Sequence, residues 1–204
     1  SEAIAVMKGA EMMSSRHVFT PILIAASLVL LISFAIRASF GVFQIPIAND
    51  LGWFRTEFSL AIAIQNLAWG IATPLFGAFA EKLGDRKAVV VGVLVYALGL
   101  ALSSMASTAT SHQLLEILVG VGIAGTGFGV ILGVVGRAAS DETRSLALGL
   151  TTAAGSAGQI VGPPLTQYLL NATTWQTVFL MYAGVILLAL LALPFMKAPP
   201  KVSA

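Results

Sequence analysis

The apolar positions of this chain fall into six long runs, near 20–47, 57–80, 88–107, 113–136, 144–170 and 176–196, with charges, turn formers or aromatic residues between them. Each run is close to the ~20 residues that a helix needs to cross a hydrocarbon layer. The pattern predicts six membrane helices. Residues 1–19 are mixed in polarity and lack an apolar period, which predicts a partly disordered tail outside the membrane, and residues 197–204 read as a second, short tail. The expected fold class is an all-α polytopic membrane protein, a six-transmembrane-helix bundle over 20–196.

Polar residues are shared unevenly among the six. The third and sixth runs are almost wholly apolar over 89–105 and 178–195, whereas Arg37, Gln44, Gln65, Asn66, Thr73, Glu116, Thr126, Thr152, Ser156 and Gln159 fall on the other four. Polar groups inside a membrane face a bundle interior or a wet cavity. The third and sixth helices are therefore expected against lipid, and the other four around something polar. The second and fifth also look like copies. Ser59-Leu60-Ala61 and Ser145-Leu146-Ala147 open them, and Pro74-Leu75 and Pro164-Leu165 interrupt them near the far end, a pointer to nested three-helix repeats.

With 57% hydrophobic residues and a mean hydropathy of +0.92, the chain lies in the membrane class. Its net charge of +2 is not gathered into a patch or stripe, which argues against nucleic acid as a partner and leaves the lipid bilayer as its surroundings. The absence of cysteine excludes disulfides, thiolate metal sites and cysteine nucleophiles, and no motif calls for a metal or a cofactor. The basic residues report topology instead. Lys8, Arg16, Lys82, Arg86, Lys87, Arg137, Arg144, Lys197 and Lys201 fall on one side of the predicted helices, and Arg55 alone on the other. The positive-inside rule then places both termini in the cytoplasm, in a multi-pass protein of the cell membrane, the inner membrane in a bacterium. Trp53 and Trp175 fall in outer loops, where amphipathic rings favour the interface.

The most densely charged turn lies between the second and third helices. Its residues Gly77, Glu81, Lys82, Gly84, Asp85, Arg86 and Lys87 resemble the signature between helices 2 and 3 of the major facilitator superfamily of transporters. Members of that family usually carry Asp at the position of Glu81 and Arg at those of Lys82 and Asp85, so charge is kept at the first two and reversed at the third. The resemblance implies one half of a twelve-helix fold, with this turn as a conformational latch on the cytoplasmic face. The division into lipid-facing and polar helices matches that half as well.

Gly158, Gly162 and Pro163 resemble the superfamily's helix 5 signature, although the glycine pair expected after the proline is replaced by Thr166 and Gln167. From the residues alone the segment reads as a proline-kinked, glycine-rich packing face. Gly120, Gly122 and Gly125 fit a dinucleotide fingerprint, which has meaning only between a strand and a helix. Inside an unbroken membrane helix, Gly125, Gly129 and Gly133 read instead as a close-packing stripe. An intramembrane serine protease would need Ser156 activated by a base. The histidines, His17 in the tail and His112 in an outer loop, lie outside every predicted span, so the chain does not read as an enzyme.

Arg37 is the basic residue that no loop claims. Counted from Thr20 at ~1.5 Å per residue, it lies roughly 25 Å along a helix of about 40 Å, beyond the midplane. Placing it in hydrocarbon costs on the order of 3 kcal/mol, so a compensating partner is expected. One candidate is Glu116, in a structural pair. The other is a substrate carboxylate held by the two parallel donors of the guanidinium, with Ser33 four residues back and Gln44 seven on along the same face. Gln65 and Gln159 complete the candidate substrate-binding set.

Arg37-Ala-Ser-Phe40-Gly-Val-Phe43, with residues 53–59 and 144–149, resembles the monocarboxylate transporter branch and its bacterial oxalate and formate exchanger relatives, over most of 20–196. In the carboxylate carriers of that branch a basic residue stands at the position of Arg37 and takes part in substrate or proton handling. That residue is lysine there, and arginine holds a carboxylate without readily giving up a proton. The resemblance implies a secondary active transporter, by symport or antiport, moving small organic anions such as monocarboxylates by alternating access. Its partner would be a missing second six-helix half or a second copy of the chain. The alternatives are a non-transporting truncated remnant, a structural membrane assembly protein, or a facilitator-type exporter of other small molecules.

Overall fold

The computed structural model describes residues 2–197, and for residues 10–17 the backbone alone. Among the described residues all regular structure is helical: α1 (Glu2–Val18), α2 (Pro21–Ala38), α3 (Gln44–Leu51), α4 (Arg55–Leu83), α5 (Asp85–Ser103), α6 (Ala109–Thr126), α7 (Phe128–Ala138), α8 (Arg144–Ala172) and α9 (Trp175–Leu188). Tight 3-10 turns cover Phe40–Phe43 and Ala189–Phe195. The C-terminal tail beyond Lys197, with Lys201, lies outside the described residues. The N-terminal segment departs from the expected irregular tail, because Glu2–Val18 is helical. Its alanines, methionines, glutamates and lysine are good helix formers, and no apolar period is needed for that.

The first apolar run is not one helix. Pro46 has no N–H to offer the carbonyl of Val42, and its ring crowds that carbonyl. So α2 stops at Ala38, the chain tightens over Phe40–Phe43, and α3 continues to Leu51, where Gly52 at φ 70° caps it. The fourth run also divides, at Gly127 between α6 and α7.

Among the described residues five helical runs are long and apolar enough to cross a membrane: Pro21–Leu51, Arg55–Leu83, Asp85–Ser103, Ala109–Ala138 and Trp175–Phe195. The remaining run expected from the sequence, the fifth, is α8, which has the length at 29 residues but is diluted by Thr151, Thr152, Ser156, Gln159 and the glycines among them.

The contacts give each helix a direction. Along α8, Thr151 meets Ser27, Gly158 meets Leu31, Gly162 meets Ala35 and Thr166 meets Ser39, so α8 runs parallel to α2 for most of its length. Gln113 bonds to Glu57, and Gly120 lies against Gln65 and Trp69, so α6 runs parallel to α4. Gly92 lies against Gly125 and Tyr96 against Gly122, so α5 is antiparallel to α6. A Cβ at Gly162 would stand 2.2 Å from the Ala35 carbonyl oxygen, and one at Gly158 2.3 Å from that of Leu31. Only glycine lets these two backbones touch, which is the packing face read from the sequence. The stripe expected at Gly125, Gly129 and Gly133 shifts to Gly120, Gly122 and Gly125, because the chain turns at Gly127 and the two later glycines meet only side chains.

The likeness of the second and fifth runs appears as a shared buried face. Ala61 and Gln65 of α4 answer to Ala147 and Thr151 of α8, and Ala72 and Phe76 to Gly162 and Thr166. The second match lies about one helical turn further along α8 than the first, which lengthens the interval between the two matches without rotating the buried face. Both helices leave apolar residues uncovered, Leu60, Leu67, Ile71 and Leu75 on α4 and Leu146, Ile160, Val161 and Leu165 on α8. By contrast α5 buries Val89, Val93, Tyr96 and Leu100 against its neighbours and turns Val91, Leu94 and Leu98 outward.

Candidate functional site

Arg37 occupies the last turn of α2, because the helix breaks just beyond it. A cation there is favoured by the partial negative charge of the unsatisfied carbonyls. Its side chain is half-buried. Nη2 donates to Asn66 Oδ1 of α4 at 3.0 Å, and the guanidinium carbon lies 5.3 Å from the centre of the Trp69 ring, within cation–π range. Nε is buried and makes no hydrogen bond. The group is thus oriented by a neutral amide and an aromatic face, neither of which cancels its charge.

The expected pair with Glu116 does not form. Gln65 Nε2 donates to Glu116 Oε2 at 2.6 Å, and His112 faces the other carboxyl oxygen at 3.7 Å. Two members of the candidate set are spent inside the bundle for related reasons. Gln65, 1% exposed, points along α4 into α6 toward Glu116. Ser33, fully buried, shares a hydrogen bond with Thr126 at 2.7 Å, so it does not share the open face of Arg37. Gln44 is half-buried on the first residue of α3, beyond the break, and Gln159 is exposed on α8. Asn66 and Trp69 are the neighbours of Arg37 that spacing along one helix could not supply.

The charged turn is not a loop. Gly77, Glu81 and Lys82 lie on the final turns of α4, Asp85, Arg86 and Lys87 open α5, and Gly84 alone joins them. Its φ of 100° and ψ of 152° are accessible to glycine and hardly to any residue with a Cβ. Asp85 accepts a hydrogen bond from Arg137 in the last turn of α7, so the acid at this position has a local cation. Arg86 Nη2 donates to the Pro194 carbonyl at 2.9 Å. The turn therefore ties three segments of the bundle end together. Arg144 does the same for the next connection, donating to the Gly136 carbonyl at 2.8 Å and to Asp141 at 2.8 Å.

A family model described as Major Facilitator Superfamily matches residues 25–204. The chain belongs to the Major Facilitator Superfamily. It is 32% identical to Monocarboxylate transporter 13 of Rattus norvegicus over 74% of this chain and 35% of that protein. It is 25% identical to the Methyl viologen resistance protein SmvA of Salmonella typhimurium over 70% of this chain and 27% of that protein. With the Probable L-galactonate transporter of Escherichia coli it shares 27% identity over 73% of this chain and 33% of that protein. The chain thus spans about a third of the length of these relatives, all of them members of a family of transporters, and it is a multi-pass membrane protein.

As a superfamily chain it departs from the helix 5 signature in a way the fold explains. Thr166, where a glycine is expected, donates to Ser39 Oγ at 2.7 Å and shares a hydrogen bond with Tyr182. This cluster anchors the α2 break to α8 and α9. Trp175, expected at the membrane interface, is instead 5% exposed, with Nε1 bonded to Asp50 at 2.8 Å. His112, expected in a loop, sits in the first turn of α6 and is 1% exposed between Trp53 and Phe58. Ser156 is exposed on α8 and makes no hydrogen bond to it.

Proposed function

We propose that this chain is the N-terminal six-helix half of a secondary active transporter that moves small organic anions such as monocarboxylates by alternating access, with Arg37 as the carboxylate anchor. The observation that carries the reading is the state of Arg37: oriented by Asn66 and Trp69, half open, and without an acidic partner among the described residues. Gln44, half-buried, and Gln159, exposed, are the remaining polar candidates for the substrate set. Similarity to a protein named for monocarboxylate and another named for L-galactonate supports the substrate class.

Six crossings are supported by the parallel register of α8 on α2, since a helix in contact along most of another's length crosses whatever that helix crosses. The mixed apolar and polar faces of α4 and α8 suit a second half, or a second copy of the chain, across a central cavity. The Gly77–Arg86 segment acts as the cytoplasmic latch. Both termini lie in the cytoplasm. Because the chain has no cysteine, single cysteines test that orientation cleanly. One at Ala109 is expected to react with an impermeant reagent added outside, and one at Ala139 only after the membrane is opened; the reverse labelling would invert the bundle.

The test of function is uptake of a radiolabelled monocarboxylate into liposomes carrying the assembly purified from its own membrane. Uptake is expected with the wild-type chain and is expected to be lost with Gly84→Val, provided the variant keeps its helical content. Failure of the wild type to move any anion removes the reading. A second reading, a carrier of other small molecules, draws on the similarity to SmvA; methyl viologen in place of the carboxylate distinguishes it.

A further inference from the structure

Away from Arg37 the bundle buries a polar cluster that carboxylate anchoring does not use. His112 and Glu116 lie one turn apart on α6, 1% and 0% exposed. Gln65 reaches from α4 and donates to Glu116 Oε2 at 2.6 Å, which fixes the plane of the carboxyl group. The other oxygen, Oε1, faces His112 Nε2 at 3.7 Å, and neither atom has a hydrogen-bond partner. Trp53 and Phe58 close over the imidazole with ring centres 5.5 Å away, and Phe179 of α9 lies at 6.4 Å.

The groups around the cluster leave its charge unanswered. From α5, Tyr96 is the titratable neighbour, and its hydroxyl is committed to the Ser33 carbonyl at 2.8 Å. From α2, Arg37 is turned to Asn66 and Trp69. On α4, the Glu57 carboxylate is taken up by the Phe54 N–H at 2.9 Å. The linker before α4 and α9 bring aromatic rings. A carboxylate buried without a cation is costly, and so is an acceptor left empty. At 3.7 Å the two atoms are too far apart for a hydrogen bond, and a carboxyl O–H that closed on the imidazole nitrogen would satisfy both at once.

We propose that Glu116 and His112, braced by Gln65, form a proton-binding site. A proton taken from water forms the Glu116 Oε1–H bond and is donated toward His112 Nε2; it returns to water when the cluster opens. Gln65 and Glu116 belong to different helices, so movement of α4 against α6 breaks the brace and exposes the acid. The use of this proton as a coupling ion rests on the carrier reading above, in which Arg37 holds the anion and does not itself give up a proton. The binding site stands on the geometry alone.

Infrared difference spectra between acid and alkaline samples of the purified full chain in lipid test it directly. A carboxylic-acid C=O band is expected in acid and lost in alkali. It should be absent in Glu116→Gln, shifted in frequency in Gln65→Leu, and should titrate at a different pH in His112→Gln. Should Glu116→Gln not fold, Gln65→Leu still retains the carboxyl and must move the band. A spectrum without a band that responds to these changes overturns the proposal, and so does a Glu116 band that persists at every pH, which would make the carboxyl a permanently neutral packing group. The measurement needs no transport, so a chain that moves no anion can still bind this proton, and a working carrier can fail to.

Discussion

Gly162→Ala is expected to destabilise the bundle by roughly 2–3 kcal/mol, although alanine is the better helix former by about 1 kcal/mol. The added methyl carbon would stand 2.2 Å from the Ala35 carbonyl oxygen and 2.8 Å from two further backbone atoms of Ala35. Backbone cannot rotate away as a flexible side chain does, so α2 and α8 must separate. Separation strains the contacts that share their seam, among them Ser39 with Thr166 at 2.7 Å and Ser27 with Thr151 at 3.3 Å. Gly149→Ala on the same helix is the control. Nothing lies within 4 Å of its Cβ position, so propensity alone acts there, and a neutral or slightly stabilising change is expected. Thermal unfolding of both variants in detergent decides the matter; equal melting temperatures would mean that the two helices do not meet at Gly162.

Arg37→Gln is expected to weaken monocarboxylate binding roughly 100-fold, the loss of about 2.7 kcal/mol that falls within the worth of hydrogen bonds to a charged group. Arg37→Lys should retain part of the affinity because charge remains, but not the forked pair of parallel donors. The control is an uncharged analogue of the same substrate, whose binding the anchor reading leaves nearly unchanged. Asn66→Ala adds a second discriminator, since it removes the oriented acceptor while keeping the charge and should weaken binding less than Arg37→Gln. Equal losses for the anion and the uncharged analogue, accompanied by a lower melting temperature, would make Arg37 a structural tether between α2 and α4.

Much of the helix pattern was legible because lipid imposes a long apolar run on each crossing, and such runs can be counted. Breaks were less legible. Pro46 was visible, but a proline in the first turn of a helix is tolerated, and whether it interrupts one helix or opens the next depends on the turn formed before it. Gly127 lies within a run that reads as one unbroken helix, and only the path of α7 shows that it is a turn. The charged segment from Gly77 to Lys87 read as a loop because charges favour water; a single glycine with positive φ instead lets two helices meet almost without a connection.

The site was legible in its central residue and not in its neighbours. An arginine in an apolar run stands out by its cost, so Arg37 could be singled out without a structure. Gln65 stood out by polarity and Ser33 by its spacing from Arg37, yet their groups serve contacts between helices, and neither signal distinguishes a cavity wall from a buried hydrogen bond. Spacing along the sequence offers Glu116 as a partner of Arg37 and leaves His112 outside the apolar run, whereas both lie on α6 and face each other.

By itself the sequence determined that the chain is helical, that it lives in a membrane, and that Arg37 needs an explanation, because each of these follows from local quantities: apolar length, the energy of a charge in hydrocarbon, and the geometry of one helix. The tertiary structure decided which polar groups meet. That Arg37 turns to Asn66 and Trp69, that Glu116 turns to Gln65 and His112, and that α8 lies along α2 all depend on how far apart helices pack and at what rotation. Those distances are set by glycines on one helix meeting backbone on another, Gly120 at Gln65 and Gly162 at Ala35 among them, a relation between residues far apart in the chain that no periodicity along it contains.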